Sequence, residues 1–356
     1  MSHTLPPTAE LLQYLSDAFG PSGFEEEVRE RITALVTPLV DEVRVDALGN
    51  LFAIRRGAGD RTLMLDAHMD EIGFMVTYIE EQGFLRVAPL GGWDQRVVPA
   101  HQLVVRADDG SMVRGVFGSP PPHLTLASER DRAFKLDDLF VDIGATSVAE
   151  VAELGIHVGS PAVMHYPFAH LQQDAVLGKA FDDRAGCAVI LMALAALQNE
   201  APEVTIAAAF TVQEEVGLRG AEVAARQIAP DIALALECTI AADVPGIPTH
   251  RTPTRQGKGP SISVLDNTMI GMPRVINALT GVANAEGLRW QYKVPAPGGT
   301  DAGVIHRSGS GVLTGVVSLP GRYIHSASTV VRTGDIEQAA ALVAAFARAC
   351  PGVVGL

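Results

Sequence analysis

The chain has 356 residues, 47% hydrophobic and 19% charged, which excludes a disordered protein and leaves room for a large core in more than one domain. A net charge of −14 with no Lys/Arg cluster excludes a surface built for phosphate backbones, so no nucleic-acid partner is expected. Three widely spaced cysteines, Cys187, Cys238 and Cys350, make neither a disulfide framework nor a CxxC metal site and fit a reducing, cytoplasmic setting.

The amino terminus lacks a basic segment followed by an apolar one, so no signal peptide is expected. Thr8 is expected to cap a helix through AELLQYLSDAF that Gly20 ends. A second helix through EEEVRERITALV would bury Val28, Ile32 and Leu35 and stop at Pro38. DEVRVDALGNLFAIRR reads as two strands about a Gly49-Asn50 turn, and RTLMLDAH as an apolar strand ending in His68.

From Gly73 to residue 164 the texture is β: GFMVTYI, GFLRVAPL and QLVVRADDGSMVRGVFG, the last a hairpin at Asp109-Gly110. Pro-rich GSPPPHL (118–124) reads as a turn in this inserted all-β module. Helices and strands then alternate: helix DRAGCAVILMALAALQN, strand VTIAAAF, helix LRGAEVAARQI, strand IALALE, helix MPRVINALTGVANAEG, strand GVLTGVVSL and helix DIEQAAALVAAFARA. Such alternation implies a mostly parallel sheet covered on both faces. The longest apolar run, CAVILMALAAL, is shorter than the ~20 residues that cross a bilayer, so no membrane partner is expected.

In such sheets chemistry gathers where strands end. His68, Asp182, Glu214, Glu215, Glu237 and His325 all stand at strand ends or in loops. Each has an ordinary reading: His68 and His325 as satisfied histidines, Asp182 as a helix cap, Glu237 as a loop carboxylate. Adjacent Glu214 and Glu215 are usually a solvated pair, but solvated pairs do not normally end a strand as apolar as EVTIAAAF. Taken together, two histidines and several carboxylates suit two divalent ions such as Zn²⁺ or Co²⁺. One glutamate of the pair could then bind metal while its neighbour takes a proton from water. Asp70 could hold the second nitrogen of His68.

The motifs AHMDEIGFMV, GVFGSPPPHL, VDIGA, GKAFDDRAG, TVQEEVGLRGA, GKGPSI, PGGTDAG and RYIHS occur in order along nearly the whole chain. They resemble those of the tetrahedral and glutamyl aminopeptidases, dinuclear metallopeptidases of which some carry an endoglucanase label. The resemblance implies an α/β, phosphorylase/hydrolase-like catalytic domain at 1–72 and 165–356, with an inserted barrel-like β domain at 73–164 that serves oligomerisation. It also implies that Asp182 bridges two ions, that His68 and Glu237 complete one site, and that Glu215 and His325 complete the other. Glu214 would be the general base, and Asp70 would orient His68. Short peptides would be the substrates, and a homo-oligomer built from dimers, a dodecamer, the assembly. Glu237 stands where relatives more often carry aspartate, and HSASTVV after His325 lacks their proline and acidic residue.

A carboxypeptidase or N-acyl amino-acid deacylase needs a cation for a substrate carboxylate; Arg184 and Arg322 are the candidates. A glycosidase needs carboxylates on facing positions, which adjacent Glu214 and Glu215 do not provide. An inactive metal-binding scaffold would have no use for Glu214. VLDNTMIGM (264–272) is placed near the pocket by the resemblance, and its neutral character favours neutral or hydrophobic N-terminal residues.

Overall fold

TLMLDAH, TIAAAFT, IALALECTI and LTGVVSLPG carry apolar residues on both faces, as strands in the middle of a covered parallel sheet must. In the computed structural model, which describes residues 4–121, 123, 133–294, 297–350, 352 and 354–355, they are the parallel centre of an eight-stranded sheet. Their order is Thr205–Thr211, Thr62–His68, Ile232–Ile240, Leu313–Gly321. The hairpin Glu42–Val45 and Leu51–Arg55 extends one edge antiparallel. Ser261–Ser263 and Gln291–Lys293 extend the other.

Helices Thr8–Ser16, Glu26–Val36, Phe181–Leu197, Pro273–Ala285 and Thr333–Ala349 pack on one face, burying Leu63, Leu65, Leu234, Leu236 and Val317. Arg219–Ile228 and Ala302–Ile305 cover Met64, Ala209 and Ala233 on the other. Among the described residues no helix is long and apolar enough to cross a membrane.

Six strands close a separate antiparallel barrel in the order Gly73–Ile79, Leu85–Leu90, Phe140–Asp142, Met112–Gly118, Gln102–Arg106, Pro161–Met164. It has its own core around Phe74, Leu103, Phe117 and Val141. Asp109-Gly110 turns its predicted hairpin, with Gly110 at φ 84°. The segment is not purely β: Ser147 caps a helix at Val148–Glu153, too short to show a period. Of the Pro-rich turn, residues 122 and 124 lie outside the described residues.

Three local expectations are corrected. Thr8 is not a cap: Pro7 holds that position, and the Thr8 hydroxyl donates to Glu337 Oε1 at 2.8 Å. That helix ends at Ser16, with Asp17 at its C-cap, before Gly20. In the second helix Val36 completes the buried stripe with Val28 and Ile32, and Leu35 is half-buried at its margin.

Candidate metal centre

The four parallel strands point their carboxyl ends at one place, and every predicted site residue lies there. His68 ends its strand in register with Thr211, after which the chain turns through Gln213, at φ 56°, into Glu214 and Glu215. Ala235 pairs with Asp66, which sets Glu237 level with His68 two residues on. His325 follows the strand Leu313–Gly321 with φ 58°. Asp182 opens the helix Phe181–Leu197, where it and Asp183 depart from helical dihedrals.

Donor atoms from these residues fall into three groups: His68–Asp182–Glu237, Asp182–Glu215–His325 and His68–Glu214–Glu215. His68 Nε2 is 3.4 Å from Asp182 Oδ1, 3.7 Å from Glu214 Oε2 and 4.0 Å from Glu237 Oε2. His325 Nε2 is 3.7 Å from Asp182 Oδ2 and 4.0 Å from Glu215 Oε2. Asp182 thus presents one oxygen to each histidine.

This donor set fits divalent cations. Two ligands at bond lengths of ~2.0–2.2 Å in tetrahedral geometry stand roughly 3.4 Å apart, close to the observed separations. Among the described residues, only His68 and His325 lie within ion-pair distance of Asp182, Glu214, Glu215 and Glu237. Burial pushes Glu215 up to about 7. Burial lifts Glu214 and Glu237 well above the usual carboxylate range, with neighbouring carboxylates adding to it. Burial works to lower His68, but Glu214, Asp182 and Asp70 override it and leave its pKa well above the ordinary imidazole value.

These shifts predict how the metal-free protein responds to pH. A buried carboxyl with a raised pKa holds a proton that the unfolded chain releases, so its stabilisation is complete below the unfolded value of 4.5 and fades as pH rises through about 7. The raised histidines act with the same sign. The melting temperature of metal-stripped protein should therefore fall by several degrees from about pH 5 to about pH 8, and saturation with cations should restore it. A flat or rising melting temperature in thermal scans of stripped protein would contradict this.

Several supports were not singled out by sequence. Asp70 does more than face His68 Nδ1, at 3.1 Å from its carbonyl oxygen and 3.4 Å from Oδ1. Its carboxylate also accepts from Glu214 N at 3.0 Å, Glu215 N at 3.2 Å and Ser22 Oγ at 2.6 Å. Glu25 accepts from Gln213 N at 3.1 Å, so three successive amides of the turn 213–215 end on buried carboxyls. The Gly92 carbonyl meets His325 Nδ1 at 2.6 Å. Asp301 N donates to Glu237 Oε1 at 3.1 Å. Buried Asp66 and Asp301 lie close to Glu237; burial lifts both, Asp301 to about 6, and the charge of Asp301 lifts Asp66 further. Period-two spacing from His68 was the one sign of Asp66 in the sequence.

The two arginines considered for a substrate carboxylate are engaged elsewhere. Arg184 is fully buried; it donates to the carbonyls of Leu15, Ala18, Gly20 and Met69 and to Glu71 Oε1 at 3.2 Å. Lys179 reaches the same Glu71 oxygen at 2.6 Å. Removing one partner from such a buried set typically costs about 3–5 kcal/mol. Arg322 forks onto Asp243 at 2.7 and 2.8 Å.

Comparisons place this chain among known proteins. A solved aminopeptidase from the archaeon Desulfurococcus kamchatkensis superposes with a TM-score of 0.94 at 40% identity, covering 98% of this chain and 96% of that one. The TET1 peptidase of Pyrococcus horikoshii, which can assemble into a tetrahedron or a large octahedral shell, matches with a TM-score of 0.86 at 33% identity over 96% and 99% of the two chains. The glutamyl aminopeptidase of Lactococcus lactis is 33% identical over 91% of each chain. The lysyl aminopeptidase of Pyrococcus furiosus is also 33% identical, over 95% of this chain and 96% of its own length. The profile of M42 glutamyl aminopeptidase matches residues 49–342, and the chain belongs to that family.

Proposed function

We propose that the protein is a metal-dependent aminopeptidase that releases N-terminal residues from short peptides, with Glu214 as general base. The observation that carries this reading is the position of Asp182 in two donor groups at once, one completed by His68 and Glu237, the other by Glu215 and His325. Glu214 belongs to neither of those groups, yet its Oε2 is 3.7 Å from His68 Nε2. When bound there, two divalent cations such as Zn²⁺ or Co²⁺ would supply the Lewis acidity that polarises the scissile carbonyl and acidifies water.

Glu214 takes a proton from the attacking water and returns it to the departing amine. Asp70 holds both parts of this machinery, the ring of His68 and the amides of Glu214 and Glu215. The surrounding carboxylates offer acceptors to a free α-amine, which restricts cleavage to the first residue. The inserted barrel serves assembly into dimers and from them a hollow dodecamer, a reading supported by the shells of the Pyrococcus horikoshii relative.

A carboxypeptidase or deacylase reading is disfavoured because Arg184 and Arg322, the arginines considered for a substrate carboxylate, are engaged by Glu71 and Asp243. A panel of aminoacyl-anilides, N-acyl amino acids and C-terminal dipeptides, assayed with Zn²⁺ or Co²⁺, tests the choice. Hydrolysis of the anilides alone is expected. Hydrolysis confined to the acylated amino acids or to blocked dipeptides would refute the aminopeptidase assignment.

A further inference from the structure

We propose that the inserted barrel fixes the general base through the loop 20–25, with Glu25 the residue that positions Glu214. This deepens the aminopeptidase reading and rests on Glu214 as its base.

The turn that carries Glu214 needs a hold from outside. Gln213 sits in it at φ 56°, a left-handed backbone that any side chain disfavours. Glu25 supplies the hold. Its Oε1 accepts from Gln213 N at 3.1 Å, across 188 positions of sequence, and from Gly23 N at 2.8 Å. The same loop reaches the next two amides through Asp70. Ser22 Oγ donates to Asp70 Oδ2 at 2.6 Å, and Asp70 accepts from Glu214 N and Glu215 N. Two side chains of one loop thus fix three consecutive amides, and with them the direction in which the Glu214 side chain leaves the backbone.

Ordinary structural work does not account for Glu25. It occupies the N-cap of the helix Glu26–Val36, yet its side chain makes no capping bond there. It is 3% exposed, and among the described residues no cation lies within ion-pair distance of it. Burial pushes its pKa up to about 7, and the charge of Asp70 adds to this. A carboxyl kept in so costly a place to reach a distant amide is what a preorganised active site asks of its surroundings.

The barrel holds this loop in turn. Arg106 ends the barrel strand Gln102–Arg106. Its guanidinium stands 4.9 Å from the ring centre of Phe19, 5.4 Å from that of Phe24 and 3.8 Å from Glu26 Oε2. Phe19 precedes the loop and Phe24 lies near its end, so one cation clasps both sides of it. Pro21 packs as closely. A Cβ on Gly73, which opens the barrel strand Gly73–Ile79, would stand 2.6 Å from Pro21 Cβ. Direct contacts therefore run from Arg106 to Phe24, along the chain to Glu25, and from Glu25 to Gln213 and the base beside it.

The test uses the full-length, metal-loaded enzyme and the anilide that wild type turns over fastest. It measures kcat, KM and metal content for Glu25→Ala, Glu25→Gln, Arg106→Leu and the Glu25→Ala/Arg106→Leu pair, with kcat expressed per metal-loaded chain. Glu25→Ala should lower kcat by roughly 10–100-fold while KM and metal content hold, because the base is displaced and the ligands are not. Glu25→Gln keeps an oxygen acceptor for Gln213 N and should recover most of that loss. Arg106→Leu, far from the reacting atoms, should lower kcat about two- to fivefold. Its effect should shrink in the Glu25→Ala background, since both residues act on one turn. Arg106→Leu carries the test alone if Glu25→Ala yields no folded chain. Wild-type kcat per loaded chain in Glu25→Ala or in Arg106→Leu would overturn the proposal, as would two effects that simply multiply. The aminopeptidase reading would survive each of these results. Near wild-type turnover in Glu214→Gln would instead remove the base itself, and with it the ground for this inference.

Discussion

Glu214→Gln should keep its metal and lose roughly 10²–10⁴-fold in kcat, the usual worth of a positioned general base. The substitution is nearly isosteric, and the bond that anchors this position runs from the Glu214 backbone amide to Asp70 Oδ1. The turn and the proposed ligand Glu215 beside it therefore stay in place. Only the capacity to accept a proton is removed. Steady-state turnover of the best anilide, set beside metal content, checks this. Turnover within a few-fold of wild type would remove Glu214 from the mechanism.

Asp182→Asn should have a different and wider effect, with both cations weakened and turnover reduced to background. Asp182 offers Oδ1 toward His68 and Oδ2 toward His325, so it is the one side chain common to both proposed ligand sets. Asparagine preserves the shape and removes the charge, and it leaves one good oxygen donor where two are needed. A residue serving only one site would cost one ion. The shared carboxylate should cost both, and loss of the cations should be visible without any activity assay.

What was legible in the sequence follows from physical length and composition. The parallel strands show plainly because burial on both faces demands unbroken apolar runs. Ser261–Ser263 and Gln291–Lys293 do not, being three residues each and rich in polar side chains. His68, Glu214 and Glu215 stood out because charge at the end of an apolar strand is costly and calls for an explanation. Asp301, Gly92 and Ser22 were silent because their contributions are tertiary: Gly92 meets His325 across 233 positions of sequence. Thr8 misled for a similar reason, since its hydroxyl is taken by Glu337 from the last helix.

Glu237 is held at both of its carboxylate oxygens: Oε1 accepts from Asp301 N at 3.1 Å, and Oε2 lies 4.0 Å from His68 Nε2. The segment containing Asp301 is in turn tied to the neighbouring loop, through Asn267 N to Gly298 O at 2.9 Å and Thr300 Oγ1 to Asp266 Oδ2 at 3.4 Å.

The central claim is that one aspartate is shared by two cation sites and that a separate glutamate moves the proton. Metal content per chain, measured by mass spectrometry on wild type, Glu214→Gln and Asp182→Asn saturated side by side, tests it most directly. The account predicts two ions in wild type, two in Glu214→Gln and one or fewer in Asp182→Asn. Two ions retained in Asp182→Asn, or fewer than one in wild type, would contradict it.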